Sequence, residues 1–113
     1  MPDPMNLRSQ LLGQRALLEG RLRRIRADRT HSERPPERRA EDRAIQAEND
    51  EVLDRLDRTV QAELDAIDAA LERMRLGHFG RCVRCSRPIR PERLRALPTA
   101  AECGVCASGP GGA

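Results

Sequence analysis

Two Cys-x-x-Cys pairs constrain this chain more than any other feature. Cys82 and Cys85 make the first, Cys103 and Cys106 the second, and the sequence has no other cysteine. Seventeen residues separate the pairs, a spacing at which two turns share one metal ion. A two-residue gap lets one tight turn aim both sulfurs at the same point. Four soft thiolates suit zinc and close its tetrahedral shell with no open position, which marks a structural site and not a catalytic one. Iron fits the same four thiolates and stays open as an alternative. Disulfides would suit a secreted chain, but residues 1–6 lack the basic and apolar segments of a signal peptide. A dithiol redox site belongs in a βαβ setting, and no such pattern flanks either pair.

Composition narrows the fold further. At 113 residues the chain is one small domain, or a small module carrying an extension, with one aromatic, Phe79, and 35% of its residues charged. Large aromatics and contiguous aliphatic runs normally fill a globular core. Lacking them, this chain must take its order from a long helical seam and from the metal, which contributes about 10–16 kcal/mol in zinc-finger peptides. Every basic residue is arginine, and the net charge of +3 is unevenly spread. Residues 1–36 are basic, 37–76 acidic and 77–113 basic again. Complementary charge on two packed helices accounts for the first two blocks. With no transmembrane run and no anchor or signal motif, the expected location is the cytoplasm.

Asp3 and Pro4 read as a helix start, with a capping carboxylate and a proline in the first turn. Leu7, Leu11, Leu18, Leu22 and Ile25 then recur on one helical face. Leu12 and Leu17 lie beside that stripe and would broaden it. This helix should fade between Asp28 and Glu33, ahead of Pro35 and Pro36. A second helix should run from Pro36 to Leu76, with a seam of Ile45, Asn49, Val52, Leu56, Val60, Leu64, Ile67, Leu71 and Met74. That is a heptad pattern with one four-residue stutter between Leu56 and Val60, and Asn49 would fix its register. Gly77 is the expected C-cap. Neither stripe can be buried alone, so the expected fold is all-α: an antiparallel two-helix coiled-coil hairpin followed by a small four-cysteine zinc finger. A dimer through the same stripes is the structural alternative, with a monomer expected. The organisation is a hairpin over 1–76 with its tip near 31–44, a finger over 77–107 and a flexible tail over 108–113. In the finger, Phe79 should pack against the metal lobe, and a short helix after Pro91 should cover the metal with Leu94 and Leu97.

The stretch FGRCVRCSRPIRPERLRALPTAAECGVC, behind a long helical hairpin, resembles the DksA/TraR zinc-finger family of bacterial transcription regulators. The likeness rests on Phe79-Gly80-x-Cys82, both cysteine pairs, Ile89, Arg93-Leu94 and Leu97-Pro98-Thr99-Ala100, and it spans roughly residues 38–106. It implies a non-enzymatic protein that binds RNA polymerase, and no specific DNA, by inserting the coiled coil into the secondary channel. It also implies a tip motif, Asp-x-x-Asp-x-Ala. Here Asp42 and Ala44 match, whereas Arg39 replaces the first acid. Family members that respond to guanosine tetraphosphate carry basic groups where this chain has Thr59, Ala66 and Ala107, so no strong response to that alarmone is expected. The helix that commonly follows the finger is replaced by the glycine-rich end.

Two other classes compete. Arg81, Arg84, Arg87, Arg90, Arg93 and Arg95 would let the finger bind nucleic acid through phosphates, although it has no recognition helix and no array of aromatics for base stacking. A zinc-stapled structural adaptor is the other. No Ser/His/Asp set or phosphate loop is present in the sequence, so an enzyme is not expected.

Overall fold

In a computed structural model, residues 3–32 and 40–109 are described, with side chains for 3–29 and 44–109. Four helices follow in order: α1 (Pro4–Ser32), α2 (Ala40–Arg75), α3 (Pro91–Ala96) and α4 (Gly104–Ala107). The Asp3 carboxylate accepts the Met5 amide at 3.0 Å, which caps α1 as its sequence predicts. The expected start of the second helix at Pro36 and Glu37 lies outside the described residues. At its other end α2 closes through a Schellman motif. The His78 amide reaches the Arg73 carbonyl at 2.8 Å, the Gly77 amide reaches that of Met74 at 3.1 Å, and Gly77 has φ 78°.

Contacts divide the chain into two compact units, Ala16–Leu64 and Met1–Arg15 with Asp65–Ala113. In the first, Leu22 and Ile25 of α1 form a core with Val60 and Leu64 of α2, joined by Leu18 and Leu53. Increasing residue number on one helix meets decreasing number on the other, so the pair is antiparallel. In the second unit Leu7, Leu11, Ile67 and Ala70 are buried. Its helical segments are also tied by Arg15 Nε to Asp68 Oδ1 at 3.1 Å.

The α1 stripe is as expected, except that Leu12 and Leu17 stay exposed and do not widen it. The N-terminal half of α2 differs more. Ile45, Asn49, Val52 and Leu56 face solvent, and the half-buried positions are Gln46, Asp50, Leu53 and Asp57, with Asp54 beside them. The seam therefore runs 46, 50, 53, 57, 60, 64, 67, 71, 74, an unbroken alternation of four and three with no stutter. Asn49 is off it and cannot set its register. Choosing the apolar residue at each step placed the seam one residue, or about 100° of helix rotation, from where it lies. The physical reason is charge. Asp57, with a side chain only 15% exposed, takes Arg26 Nε at 3.1 Å and Arg29 Nη2 at 2.8 Å, and Arg29 Nη1 also binds Asp54. These pairs fill the seam where Leu56 was expected.

The finger is built on backbone bonds. Cys82 N donates to Arg87 O and Ile89 N to Gly80 O, both at 2.8 Å, beside a single bridge between Arg81 and Pro88. Leu94 of α3, fully buried, packs with Cys82, Ile89 and Ala100, and Phe79 leans on the same cluster as expected. Leu97 does not: it sits past the end of α3 and remains exposed. The expected flexible tail begins with residues that are in fact tied down, since the Ser108 hydroxyl and amide both donate to Gly104 O. Residues 110–113 lie outside the described residues.

Two outcomes test this register. Leu64→Ala should destabilise by about 2–5 kcal/mol, whereas Leu56→Ala should cost under about 1 kcal/mol. Equal losses in urea unfolding would restore the stuttered seam. The Arg26 hydrogen bond is the largest influence on Asp57, and with Arg29 it holds this carboxyl below the usual range although burial opposes them. A depressed folded pKa gives stability that is present above about pH 4 and is lost as pH falls through the folded value. Asp57→Asn should thus lower the melting temperature by a few degrees at pH 7 and make no difference near pH 2, as followed by circular dichroism.

Candidate metal centre and the surfaces around it

The finger folds its four cysteines to one point. The Sγ atoms of Cys82, Cys85, Cys103 and Cys106 all lie within 4.8 Å of one another, and none is in a disulfide. Tetrahedral thiolates about 2.3 Å from zinc sit about 3.8 Å apart. Cys85 Sγ and Cys103 Sγ are 3.7 Å apart. The donor set and its spacing fit a tetrahedral metal ion.

Local backbone produces this geometry. After Cys82 the chain turns back at once, with Ser86 N donating to Cys82 O at 2.9 Å and Ser86 in the left-handed region at φ 64°. The Arg84 amide points at Cys82 Sγ, 3.4 Å away. In the second turn Cys103 caps α4, and its sulfur accepts the Cys106 amide at 3.5 Å. The Val83 amide donates to Ala101 O at 2.9 Å, which holds the two turns side by side. Amides aimed at sulfur favour thiolate over thiol. Burial works against the Cys82 thiolate, but backbone hydrogen bonds around Cys103, Cys85 and Arg84 outweigh it and bring this thiol down to about 6. The Cys103 thiol is lowered chiefly by the Cys106 amide. Cys106 moves the other way, to about 12, chiefly because hydrogen bonds with the Cys103 and Cys82 sulfurs favour its protonated thiol, with burial adding to the shift. Four thiolates in one site would also repel one another, and a cation at their centre removes that conflict.

Glu102 was not anticipated as a working residue. Its carbonyl accepts Arg93 Nε at 3.0 Å, and its carboxylate lies 4.0 Å from Arg84. Arg81 Nη1 donates to Ser86 O at 3.2 Å. Three of the six arginines proposed as a basic surface thus brace the finger itself. The guanidinium groups of Arg87, Arg90 and Arg95 remain without a hydrogen bond or ion pair among the described residues. Arg73 near the end of α2 donates to Thr99 O at 3.3 Å, and burial lowers its pKa. No single residue in the sequence signals these braces, since they depend on carbonyls that only the folded loop presents.

The tip is less fully defined. Ala44 lies exposed on α2, Asp42 belongs to the same helix but its side chain is outside the described residues, and Arg39 is outside them altogether. Thr59, Ala66 and Ala107 are exposed, and the Thr59 hydroxyl is occupied by Arg55 O at 2.9 Å. No described helix is long and apolar enough to cross a membrane.

Known proteins share this architecture. The solved structure of transcription factor DksA2 from Pseudomonas aeruginosa is 36% identical, with a TM-score of 0.78, covering 86% of this chain and 74% of that one. The solution structure of DnaK suppressor protein from Agrobacterium tumefaciens C58 is 39% identical, with a TM-score of 0.65, covering 96% of this chain and 94% of that one. An uncharacterized protein of Aquifex aeolicus (strain VF5) is 41% identical over 58 residues, which are 51% of this chain but only 40% of that relative's length. The N-terminal domain of the DnaK suppressor protein-like family matches residues 7–74, most of the hairpin. With the four-cysteine finger behind that hairpin, the chain belongs to the DksA-like, or DksA/TraR, family.

Proposed function

We propose that this protein is a DksA-type transcription regulator, that one structural zinc is held by Cys82, Cys85, Cys103 and Cys106, and that it acts by placing its hairpin tip in the secondary channel of RNA polymerase. The observation that carries the reading is the likeness to a transcription factor over 86% of the chain at 36% identity. The role is one of binding, without catalysis: four thiolates around one zinc leave no position for substrate. Zinc supplies cross-linking of the two turns and nothing reactive. The protein acts in the cytoplasm, where the polymerase is.

In the channel Asp42 is the tip acid that approaches the polymerase's catalytic magnesium. Arg39, three residues earlier, stands where the motif calls for a second acid. Its charge weakens the field of Asp42 by about 1 kcal/mol or more where water is scarce. Ala44, small and exposed, leaves room for close approach. Arg87, Arg90 and Arg95 are the finger arginines with free guanidinium groups among the described residues, available for a partner surface. The nucleic-acid reading is weakened because Arg81, Arg84 and Arg93 are engaged inside the finger.

Freshly purified protein should contain one zinc per chain. Cys85→Ser should lower zinc affinity by tenfold or more, with loss of finger protection in hydrogen exchange and retention of most helical signal. Metal analysis that finds neither zinc nor iron would refute the centre. The protein should co-elute with RNA polymerase core and be displaced by a known secondary-channel binder. Asp42→Asn should abolish the effect on promoter-complex lifetime and leave binding nearly intact, and Arg39→Asp should strengthen that effect. Guanosine tetraphosphate should change each by less than about twofold. Binding that a channel competitor does not disturb would place the partner surface elsewhere.

A further inference from the structure

The displaced seam leaves a second apolar stripe on α2. Ile45, Val52 and Leu56 are 57%, 44% and 44% exposed, in the unit Ala16–Leu64. Together with Asn49 they keep coiled-coil spacing, four, three and four, but on a face about 100° from the one that packs on α1. A stripe with this spacing fits another helix.

Its flanking charges say which helix. Glu48 and Arg55 are exposed on the side of the stripe away from α1, and no hydrogen bond or ion pair engages either side chain among the described residues. They are seven residues apart, about 10 Å along the axis, too far to meet on one helix. Under a two-fold axis the situation changes. If a second α2 lies antiparallel on the stripe, Ile45 stacks against Leu56 of the other copy and Asn49 against Val52. The same rotation repeats both layers in reverse. That register brings Glu48 of each copy to Arg55 of the other, one pair at each side of the axis. Slipping by a heptad in either direction halves the apolar overlap and breaks the charge match. A parallel arrangement would not bring Glu48 and Arg55 together. The stripe is therefore self-complementary, as an isologous contact requires.

We propose that this face of α2 is a self-association surface whose occupant is a second copy of the chain, docked antiparallel through Ile45, Asn49, Val52 and Leu56 and fixed in register by Glu48 and Arg55. Four layers bury less than a stable obligate interface, so the dimer is weak and forms at high concentration. The proposal stands on α2 alone and does not depend on the polymerase reading.

Sedimentation velocity of the zinc-loaded protein, from about 1 µM to about 1 mM, tests it. The wild-type mass should rise from one chain toward two. Val52→Glu should keep it at one chain throughout, with unchanged helicity and zinc content. Arg55→Glu sets Glu48 against a second acid and should weaken association by about tenfold or more. The double exchange Glu48→Arg with Arg55→Glu should restore it to within about threefold, which a merely destabilised helix would not show. A wild-type mass of one chain at every concentration overturns the proposal. So does a dimer that survives Val52→Glu, or a double exchange that fails to rescue.

Discussion

Four sulfur atoms within 4.8 Å of one another cannot all be thiolates without a cation, and the finger depends on how that conflict is resolved. Its apolar core is tiny, with Ile89, Leu94 and Ala100 around the buried Cys82. Such a cluster does not offset the ordering of some thirty residues of loop. The backbone prepares the answer by aiming the Arg84 and Cys106 amides at sulfur, so two turns become donors of negative charge to one point. A metal ion at that point converts mutual repulsion into a cross-link. Leu94 covers the cluster from α3, and Arg93 in the same helix ties it to Glu102 in the second turn.

The hairpin solves a different problem. In the unit Ala16–Leu64 the seam changes character along its length, from Leu22, Ile25, Val60 and Leu64 to Arg26, Arg29, Asp54 and Asp57. Burial of aliphatic surface is insensitive to salt, whereas these partly exposed pairs are not. The charged part holds register by pairing specificity more than by energy, because an ion pair in the wrong register leaves a half-buried carboxylate alone. Stability within this unit is therefore expected to fall from the aliphatic layers toward Asp54, a gradient suited to a segment that must adapt to a partner.

Much of this was legible in the sequence for identifiable reasons. The cysteine pairs declared the metal centre because ligand spacing is a local property of the chain. Asp3-Pro4 and Gly77 marked helix ends because capping is local too. The α1 stripe was readable because its leucines have no apolar rival at the neighbouring position except Leu12 and Leu17. The first half of α2 was misread because two interleaved stripes run there, and hydropathy selects Val52 and Leu56 over Leu53 and Asp57. Only the partner helix decides between them, and it does so with Arg26 and Arg29, residues that hydropathy assigns to solvent. The α4 helix escaped notice because four residues with a cysteine cap carry no periodicity.

The three charge blocks can now be traced to their partners. Basic α1 meets acidic α2 in specific pairs, Arg15 with Asp68 and Arg26 and Arg29 with Asp57, so part of their opposite charge is used within the hairpin. The basic third block has a less obvious counterpart. Its six arginines and two acids suggest an excess of positive charge, but that reckoning treats the cysteines as neutral. Four thiolates around one divalent ion would carry two negative charges, and three of the six arginines are engaged inside the finger, Arg81 on Ser86 O, Arg84 near the Glu102 carboxylate and Arg93 on Glu102 O. Part of the excess thus braces the finger itself. A surface that reads as polyanion-binding in composition is, in this finger, partly internal bracing, and a basic block beside a four-cysteine site is weak evidence for nucleic acid.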